Sequence, residues 1–498
     1  MVGIDKIEDR EQLRQVAQLL DRENEKLHER VRALTLENAQ LKGQELSGSQ
    51  LEIAYLKELL AQRERALFAE KSEKPSRGKS AADPESDDTP QRGHGPRAQV
   101  ELPVVGQVHV LPEGERTCPA CHGQLEEMTG QSEDSDEITV VERQFVLVRQ
   151  RRQKYRCACN GHVATAPSPS RLSLFDDGRA GRYSLDFAVG VAIDKYLDHL
   201  PLERQARKMG REGLKIDSQT LWNQIEALAR KLAPAYEALQ QRILAEPVVG
   251  ADETWWRLMQ GKGSKRWWAW SVTGDDAVFY KILDSRSQAA ARELLGDFSG
   301  VAMADGYGAY QALAKSGASF TLAHCWAHVR RKFVEAEVHF PEPSREMLDR
   351  IGELYEVERE AAESPELRAR LRDERSRAIV AGIRVRALAL LGSTLPKSSL
   401  GEALSYLLSL WDGLVRFLDE PKIPIDNNAT ERALRGAVLG RKNHFGSRSQ
   451  RGTEVAALFY SLVESAKLCN VDPKRYLKEA AVEAIRDRKV LLPHQLQY

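Results

Sequence analysis

The segment VVGADETWWRLM, residues 248–259, is the clearest indication of the fold in this 498-residue chain. It is a run of apolar and aromatic residues, and two similar runs follow it at residues 265–274 and 277–284. Turn residues separate the three runs, with the sequence GKGS after the first and GDD after the second. Short β-prone runs separated by glycine-containing turns predict a meander of three antiparallel strands.

The sequence on either side of this meander predicts a mixed core with a helical interruption. Predicted helices and strands alternate over residues 287–340, and three strands followed by such alternation are typical of a ribonuclease-H-like α/β core. We therefore predict a multidomain α+β protein. Its core comprises residues 247–342 and 421–467, with a charged helical insertion at 343–420 and a helical tail at 468–498.

Three acidic residues of this core are candidate metal ligands. Asp252 lies within the first predicted strand, Asp305 ends the strand in GVAMAD, and Glu431 begins the helix behind PIDNN. Two hard cations that lie roughly 3.5–4 Å apart and are held by carboxylates can catalyse in-line cleavage of a phosphodiester bond. Each residue also has an ordinary explanation, as a strand-end salt bridge, a turn residue or a helix N-terminal charge. The spacing alone does not show that the three converge.

The N-terminal region predicts a two-stranded coiled coil. Leucine recurs every seven residues, and polar Asn24 and Asn38 occupy two of the intervening core positions, which favours a parallel, in-register pair of helices. An amphipathic helix packed on its own chain is the alternative. We predict a leucine zipper at 1–71 that joins two or more copies of the chain. A flexible linker at 72–100 follows, because large apolar residues are scarce there.

Four of the six cysteines lie close together, which favours a metal site over a disulfide framework. Cys118 and Cys121 have the spacing of a zinc knuckle, whereas one residue separates Cys157 from Cys159. His122 and His162 are alternative ligands, and buried thiols without a metal are the alternative to the site as a whole. We predict a zinc module at 101–172. Its structural Zn²⁺ ligands are drawn from Cys118, Cys121, Cys157, Cys159 and His162.

Positive charge is local, because the formal net charge of the chain is zero. A predicted basic hairpin within residues 138–157, the helix after residue 325 and the region around Glu431 are rich in arginine and lysine. Such groups neutralise DNA phosphates, although a solvated charged face is the alternative. The predicted DNA contacts are Arg149, Arg151, Arg152, Lys154, Arg330, Arg331, Arg432, Arg435, Arg441 and Lys442.

Residues 173–246 predict a helical region that contains a helix pair. PLERQARKMG and SQTLWNQIEALARKL are joined by a turn with the sequence GLKID, and Ser218 is the predicted N-cap of the second helix. The pair resembles a helix-turn-helix, so this region is a candidate DNA-binding module. The charged N-terminus has no apolar signal sequence, and no apolar run approaches the ~20 residues that span a bilayer. We expect a cytoplasmic, nucleoid-associated protein without a membrane partner.

Several long motifs in a fixed order resemble the insertion-sequence-66 type of bacterial DDE transposase. They are ADET at 251–254, ADGYGAY at 304–310, HCWAHVRRKF at 324–333, IDNNATERALR at 425–435, GRKNHFGS at 440–447 and FYSLVESAKLCNVDPKRYL at 459–477. The resemblance covers nearly the whole chain. It implies that Asp252, Asp305 and Glu431 are a catalytic triad that binds two Mg²⁺ or Mn²⁺ ions. The chain departs from the family pattern around His444, where a Trp and another apolar residue are expected.

The resemblance implies a DNA transposase that cleaves DNA at transposon ends and transfers the freed strand into target DNA. Its expected partners are DNA, a second copy of the chain bound through the zipper, and accessory proteins from the same element. Two alternatives stay open. One is a ribonuclease-H-like nuclease that cuts DNA without strand transfer, and the other is a domesticated, non-catalytic DNA-binding regulator.

Overall fold

A computed structural model gives the fold of most of the chain. It describes residues 110, 112–116, 118–126, 144–159, 162–166, 174, 182–259, 265–361 and 364–496. The described residues form two compact units, one of which ends at Gln144 while the other begins at Phe145. The predicted zipper at 1–71 and the predicted linker at 72–100 lie outside the described residues.

A small hairpin lies near the start of the larger unit, and its pairing differs from the prediction. Lys154–Arg156 (β1) pairs antiparallel with Val163–Thr165 (β2), whereas residues 144–153 contain no strand. The Cys157 N–H donates to the His162 carbonyl oxygen at 3.0 Å and closes the turn. The basic run therefore pairs with residues that follow the cysteines, because the turn forms at the cysteines themselves.

A mixed five-stranded sheet forms the centre of the larger unit, and it confirms the predicted meander. Its strands are β3 (Val248–Leu258), β4 (Lys265–Thr273), β5 (Val278–Leu283), β6 (Val301–Ala304) and β7 (Thr321–His324). The spatial order is β5-β4-β3-β6-β7, with antiparallel pairing from β3 to β5 and parallel pairing from β3 to β7. The central strand β3 therefore has an antiparallel neighbour on one side and a parallel neighbour on the other.

Helices precede the sheet and connect its parallel strands. They are α1 (Leu185–Tyr196), α2 (Leu202–Arg211), α3 (Ser218–Leu244), α4 (Gln288–Leu295), α5 (Gly308–Lys315) and α6 (Trp326–Glu337). The predicted helix pair is present as α2 and α3. The N-cap of α3 is Asp217 instead of the predicted Ser218, because the Asp217 carboxylate accepts a hydrogen bond from the Thr220 N–H at 2.6 Å. The Ser218 hydroxyl donates to Glu203 at 2.7 Å.

Most of the described residues between α6 and position 419 are helical, as the sequence predicts for the insertion. The helices are α7 (Pro341–Glu360), α8 (Pro365–Leu371), α9 (Arg377–Ser393), α10 (Ser399–Ser409) and α11 (Trp411–Leu414). They share a hydrophobic core with α6 in which Trp326, Phe333 and Leu404 are fully buried. The buried Arg372 guanidinium pairs with Glu358 at 2.7 Å and binds backbone carbonyls of the segment that leads back to the sheet.

Three helices end the described chain, namely α12 (Asn428–His444), α13 (Gln450–Leu468) and α14 (Pro473–Arg486). Helix α13 covers the edge strand β5, where the Ser461 and Ser465 hydroxyls accept from the Tyr280 and Val278 N–H groups at 2.8 and 2.9 Å. This contact satisfies an otherwise open strand edge. None of the helices in the described part of the chain combines the length and the apolar character that crossing a bilayer requires.

The start of α12 packs directly against β3 at Gly250. A Cβ atom at Gly250 would overlap Thr430 Oγ1 and lie 2.6 Å from Asn427 Oδ1. The Asn427 side-chain amide donates to the Ala251 carbonyl at 2.9 Å, and Asn427 is buried. Glycine is needed here for the close approach of a helix, because any larger side chain would push α12 away from the strand.

We predict that Gly250→Ala weakens this contact. The added methyl group forces α12 outward, and overpacking of this kind lowers the free energy of unfolding by about 1–3 kcal/mol. Gly190→Ala in α1 is the matched control, because a Cβ there meets no atom within 4 Å. Urea denaturation should show destabilisation in the first variant and an unchanged or slightly raised stability in the second. Equal stability of the two variants would contradict the packing account.

Candidate functional site

The sheet places Asp252 and Asp305 at the same level on neighbouring strands. Gly250 of β3 pairs with Met303 of β6, and each aspartate follows two residues later in parallel strands. Adjacent strands lie about 4.8 Å apart, so the two residues are close in space. The Tyr307 N–H donates to Asp305 Oδ1 at 2.9 Å and fixes the turn after β6. The turn role of Asp305 is therefore observed, and the register of β3 and β6 brings it near Asp252.

Asp252 lies in an environment that disfavours its negative charge. Burial raises the pKa of Asp252 to about 8, and repulsion from Glu253, Asp305 and Glu431 adds to this effect. The Glu253 N–H, which donates to Asp252 Oδ1 at 2.8 Å, acts in the opposite direction. Asp252 therefore lies within electrostatic range of both Asp305 and Glu431. An acidic cluster in a partly buried setting is typical of a functional site.

Glu431 reaches this cluster because α12 docks on β3. Its carboxylate lies 3.6 Å from His328 Nε2 and 3.6 Å from Arg331 Nη2, and both residues are on α6. Helix α6 is held close by the Trp326 N–H, which donates to the Ile425 carbonyl at 3.1 Å. Glu431 Oε1 is buried and forms no hydrogen bond. His324 and Cys325 are buried residues of the core next to this site.

The donor set has the chemistry that divalent cations prefer, because carboxylate oxygens are hard ligands. The raised pKa of Asp252 fits a positive charge between the carboxylates, and Glu431 Oε1 has no hydrogen bond, although His328 Nε2 lies 3.6 Å from it. Within the described residues, however, no three His, Cys, Asp or Glu side chains lie close enough to hold a metal ion. Asp252 and Asp305 each have an oxygen bound to a backbone N–H. Binding of an ion would therefore require the carboxylates to move closer to one another than they are in this structure.

A hydrogen-bond network around the Glu253 carboxylate lies on the other face of β3, and it was not predicted from the sequence. Glu253 is fully buried and accepts from Arg286 Nε at 2.8 Å and from the Tyr310 hydroxyl at 2.9 Å. The Arg286 guanidinium lies 3.7 Å from the Tyr307 ring centre, and the Tyr307 hydroxyl donates to the Arg286 carbonyl at 2.6 Å. The network joins β3 to the turn after Asp305. Arg286 has no sequence signal, since it follows β5 in an ordinary polar turn.

Most of the predicted DNA contacts are on the protein surface. The exposed members are Arg149, Arg151, Arg152, Lys154, Arg330, Arg331, Arg432, Arg435 and Lys442. Arg441 is only 3% exposed. Its guanidinium donates to the Thr254 hydroxyl at 3.1 Å and to the Trp255 carbonyl, and it stacks 3.8 Å from the Trp255 ring centre. In this structure Arg441 holds the end of α12 against β3.

The predicted zinc ligands fall in both units, and each unit is described by itself. Cys118 and Cys121 lie in a tight turn closed by the His122 N–H, which donates to the Cys118 carbonyl at 2.9 Å. The backbone N–H groups of Ala120 and Cys121 lower the pKa of the Cys118 thiol, which favours the thiolate form that binds zinc. In the other unit the Cys159 thiol donates to Cys157 Sγ at 3.1 Å. Zinc binding stays a prediction.

The fold and the site define a class of protein. It is an α+β protein with a mixed five-stranded sheet, in which Asp252 of the central strand lies within electrostatic range of Asp305 and Glu431. Comparison with known families is more specific. Residues 180–455 match the family described as Transposase IS66 family, so the chain belongs to that family. The match contains β3 to β7, the helical insertion and α12, and it confirms the resemblance seen in the motifs.

Similar proteins are found in Sinorhizobium fredii (strain NBRC 101917 / NGR234). The chain is 35% identical to the uncharacterized protein y4jD over 75% of each chain. It is 32% identical to the uncharacterized protein y4qI, over 72% of this chain and 70% of the relative. It is 26% identical to the uncharacterized protein y4hP, over 78% of this chain and 74% of the relative. Membership of the transposase family indicates an enzyme that acts on DNA.

We predict a pH-dependent gain in stability for Asp252→Asn in metal-free protein. The pKa of Asp252 is about 8 in the folded chain, whereas the ordinary value for an aspartate is 3.8. The wild type therefore loses stability as the pH rises from about 4 to about 8, whereas the amide does not ionise. At pH 8 the variant should be more stable by an amount on the order of 2–4 kcal/mol.

Urea denaturation in the presence of EDTA at several pH values measures this difference. The gain should shrink towards zero near pH 4, where Asp252 is protonated in the folded state and becomes so in the unfolded state. Glu353→Gln on the exposed surface of α7 is the matched control, and its stability should follow the wild type at every pH. A gain for Asp252→Asn that does not change with pH would contradict the prediction.

Proposed function

We propose that this chain is a DNA transposase that cleaves phosphodiester bonds at the ends of a mobile element and joins the freed strand to target DNA. The proposal is supported by Asp252, which lies within electrostatic range of Asp305 and of Glu431, two residues from separate segments of the chain. The order of the sheet, with three antiparallel strands followed by two parallel ones, is that of a ribonuclease-H-like core. Family membership supports transposase activity in general.

In this proposal Asp252, Asp305 and Glu431 hold the divalent cations. When bound, two Mg²⁺ or Mn²⁺ ions would neutralise the phosphate and favour ionisation of the attacking hydroxyl. Arg331, which lies beside Glu431 and is exposed at its outer side, would orient the carboxylate and contact the DNA phosphate. His328 lies on the same helix one turn earlier and would keep Glu431 directed towards the aspartates.

One site can serve both proposed reactions, because the two reactions share their chemistry. In the first, water attacks phosphorus, and the P–O3′ bond breaks to leave a free 3′-hydroxyl. In the second, that hydroxyl attacks a phosphate of the target, which forms a new P–O bond and releases a target 3′-hydroxyl. Bonds are exchanged in the joining step, so no external energy source is needed. No covalent bond between protein and DNA is required.

The remaining parts of the chain would bind and pair the DNA ends. The exposed cations at 149–154, 330–331 and 432–442 would neutralise phosphates without reading the sequence. We propose that the cysteine segments bind a structural Zn²⁺ and contribute to recognition of the ends together with α2 and α3. A zipper within residues 1–71 would join two copies of the chain, so that two ends are processed together. Accessory proteins of the same element are further proposed partners.

An in vitro transposition assay tests the proposal. Wild-type protein should cleave and join DNA that carries the element's own ends when Mg²⁺ or Mn²⁺ is present. Asp252→Ala, Asp305→Ala and Glu431→Ala should yield neither product, because each removes a proposed ligand. The exposed-surface variant Glu353→Ala is the matched control and should retain both products.

The products separate the proposal from its alternatives. Cleavage without joined product, in the presence of any accessory proteins, would replace the transposase by a nuclease. Binding of the DNA ends by all variants without cleavage by the wild type would indicate a non-catalytic regulator. Full activity of any of the three alanine variants would remove that residue from the proposed site.

A further inference from the structure

A large cleft lies at the opposite end of α12 from Glu431. Its walls are the end of α1, helix α2, the first turn of α3 and the loop Asn443–Ser449. The cavity has a volume of about 510 Å³, which is within the range of sites that hold small organic molecules rather than single ions. None of the residues predicted to contact DNA lines it. The cleft is thus separate from the carboxylates described above, and two of its walls belong to the helix pair α2 and α3 of the candidate DNA-binding module.

The walls of this cleft are strongly basic. Lys195, Arg204, Arg207 and Arg448 line it. A second, smaller cleft shares Arg204 and Arg207 and extends the basic surface to Lys208 and Arg211. Within the described chain none of the four lining cations forms an ion pair. The carboxylate of Glu203 is bound to the Ser218 hydroxyl. Glu203 is the one acidic residue among the described residues that line the cleft, so its four cations give the concave surface a net positive charge. Such a surface focuses its potential, which favours a negatively charged ligand.

Lys195 is the most enclosed of these cations. Burial lowers the pKa of Lys195 to about 8, and the neighbouring charge of Arg448 lowers it further. Its ammonium group lies 5.4 Å from the centre of the Tyr196 ring. Two positive groups that repel each other in a partly closed space would both be stabilised by a bound phosphate. The charge pattern thus favours a phosphate at the inner end of the cleft.

The cleft also presents aromatic side chains. Phe445 is 62% exposed and adopts a left-handed backbone conformation with φ of 61°, which is strained for a bulky residue. The loop is held by β3: the Ser447 N–H donates to the Arg257 carbonyl at 3.0 Å, and the Met259 N–H donates to the Ser447 carbonyl at 2.8 Å. Half-buried Trp222 of α3 also lines the cleft. Fixed, accessible aromatic rings beside cations are suited to stack on nucleobases.

We propose that this cleft binds one unpaired nucleotide of the DNA substrate, with its base stacked on Phe445 and Trp222 and its phosphates bound by Lys195, Arg204 and Arg448. A duplex backbone alone would use the cations but would leave the enclosed aromatic surface unoccupied. A lone phosphate would leave most of the volume empty. An unpaired nucleotide accounts for the charge, the aromatic rings and the volume together. This inference rests on the proposed function, since it assigns part of the DNA path.

Two elements give the distance from the cleft to the carboxylates. Helix α12 runs from Glu431 to His444, thirteen residues further, which corresponds to about 20 Å at 1.5 Å per residue. Strand β3 runs from Asp252 to Leu258, which bridges to Ser447, and six residues of strand also span about 20 Å. A DNA strand advances about 3.4 Å per nucleotide, so the bound nucleotide lies about six positions from the cleaved bond.

Photo-cross-linking tests the proposal. Duplexes with the element's terminal sequence carry 5-iododeoxyuridine at successive positions, and they are bound to the full chain in EDTA so that cleavage is not required. Iodouracil couples to aromatic side chains that stack on it. We expect a cross-link at a single position, about six nucleotides from the bond that the wild type cuts in Mg²⁺. Mass spectrometry should place it on a peptide that contains Phe445 or Trp222.

Variants of the cleft provide the controls. Phe445→Ala should lose or strongly reduce the cross-link, and Arg448→Gln should weaken binding of the duplex about tenfold because it removes a charge-assisted phosphate contact. Leu388→Ala truncates an exposed apolar side chain, and Arg359→Gln removes an exposed charge, both in the helical insertion. These two variants should change neither result. Unfolding curves of all four variants establish that they fold.

Two results would overturn the proposal. One is an even distribution of cross-links along the duplex, and the other is a single cross-link that Phe445→Ala leaves unchanged. The proposed function is tested separately by cleavage and joining of the same duplexes in Mg²⁺. A wild type that cross-links through Phe445 but neither cuts nor joins them would refute the transposase function and leave nucleotide binding in the cleft supported. Cleavage and joining without any cross-link would refute the cleft and keep the transposase.

Discussion

The first turn of α12 packs against strand β3 with no room for a side chain at Gly250, and the rest of the site depends on this contact. Asn427 connects the two elements through the Ala251 carbonyl, and its own N–H donates to the buried Cys325 sulfur at 3.2 Å. Strand, helix α12 and helix α6 are therefore fixed at one point. Because Glu431 follows Asn427 by one helical turn, this contact holds Glu431 within electrostatic range of Asp252. At its other end α12 is held to β3 by the buried Arg441.

This arrangement concentrates negative charge around Asp252, whereas Glu431 has His328 and Arg331 beside it at 3.6 Å. The Arg286 guanidinium compensates Glu253 on one face of β3, whereas Asp252 on the other face has a pKa raised by burial and by its acidic neighbours. The helical insertion supports the same region, because the Gly306 N–H donates to the Tyr406 hydroxyl at 3.2 Å. A cluster that destabilises the free protein is expected where a cationic ligand restores the balance. The stability of the fold and the proposed chemistry are thus coupled through one set of carboxylates.

Much of the core could be predicted from sequence because its signals are local. The aromatic runs separated by glycine turns predict the meander, and the alternation after residue 287 predicts the parallel strands. Convergence of the carboxylates could not be derived in this way. Asp252 and Glu431 are joined only through the tertiary contact at Gly250, and that glycine resembles any other in the sequence. Arg441 lies in a basic stretch that predicts a DNA surface, yet stacking on Trp255 buries it. The pairing of β1 with β2 was missed because the turn uses the cysteines.

Iron-directed cleavage of the polypeptide would test the central claim, which is that three distant segments form one site for divalent ions. Fe²⁺ is substituted for Mg²⁺, and hydroxyl radicals generated with ascorbate and peroxide cut the backbone near the bound ion. We expect cuts close to residues 252, 305 and 431 in the same sample. Excess Mg²⁺ should suppress these cuts, and Glu431→Gln should weaken them. Cuts at only one of these segments, or an unchanged pattern in the variant, would contradict it.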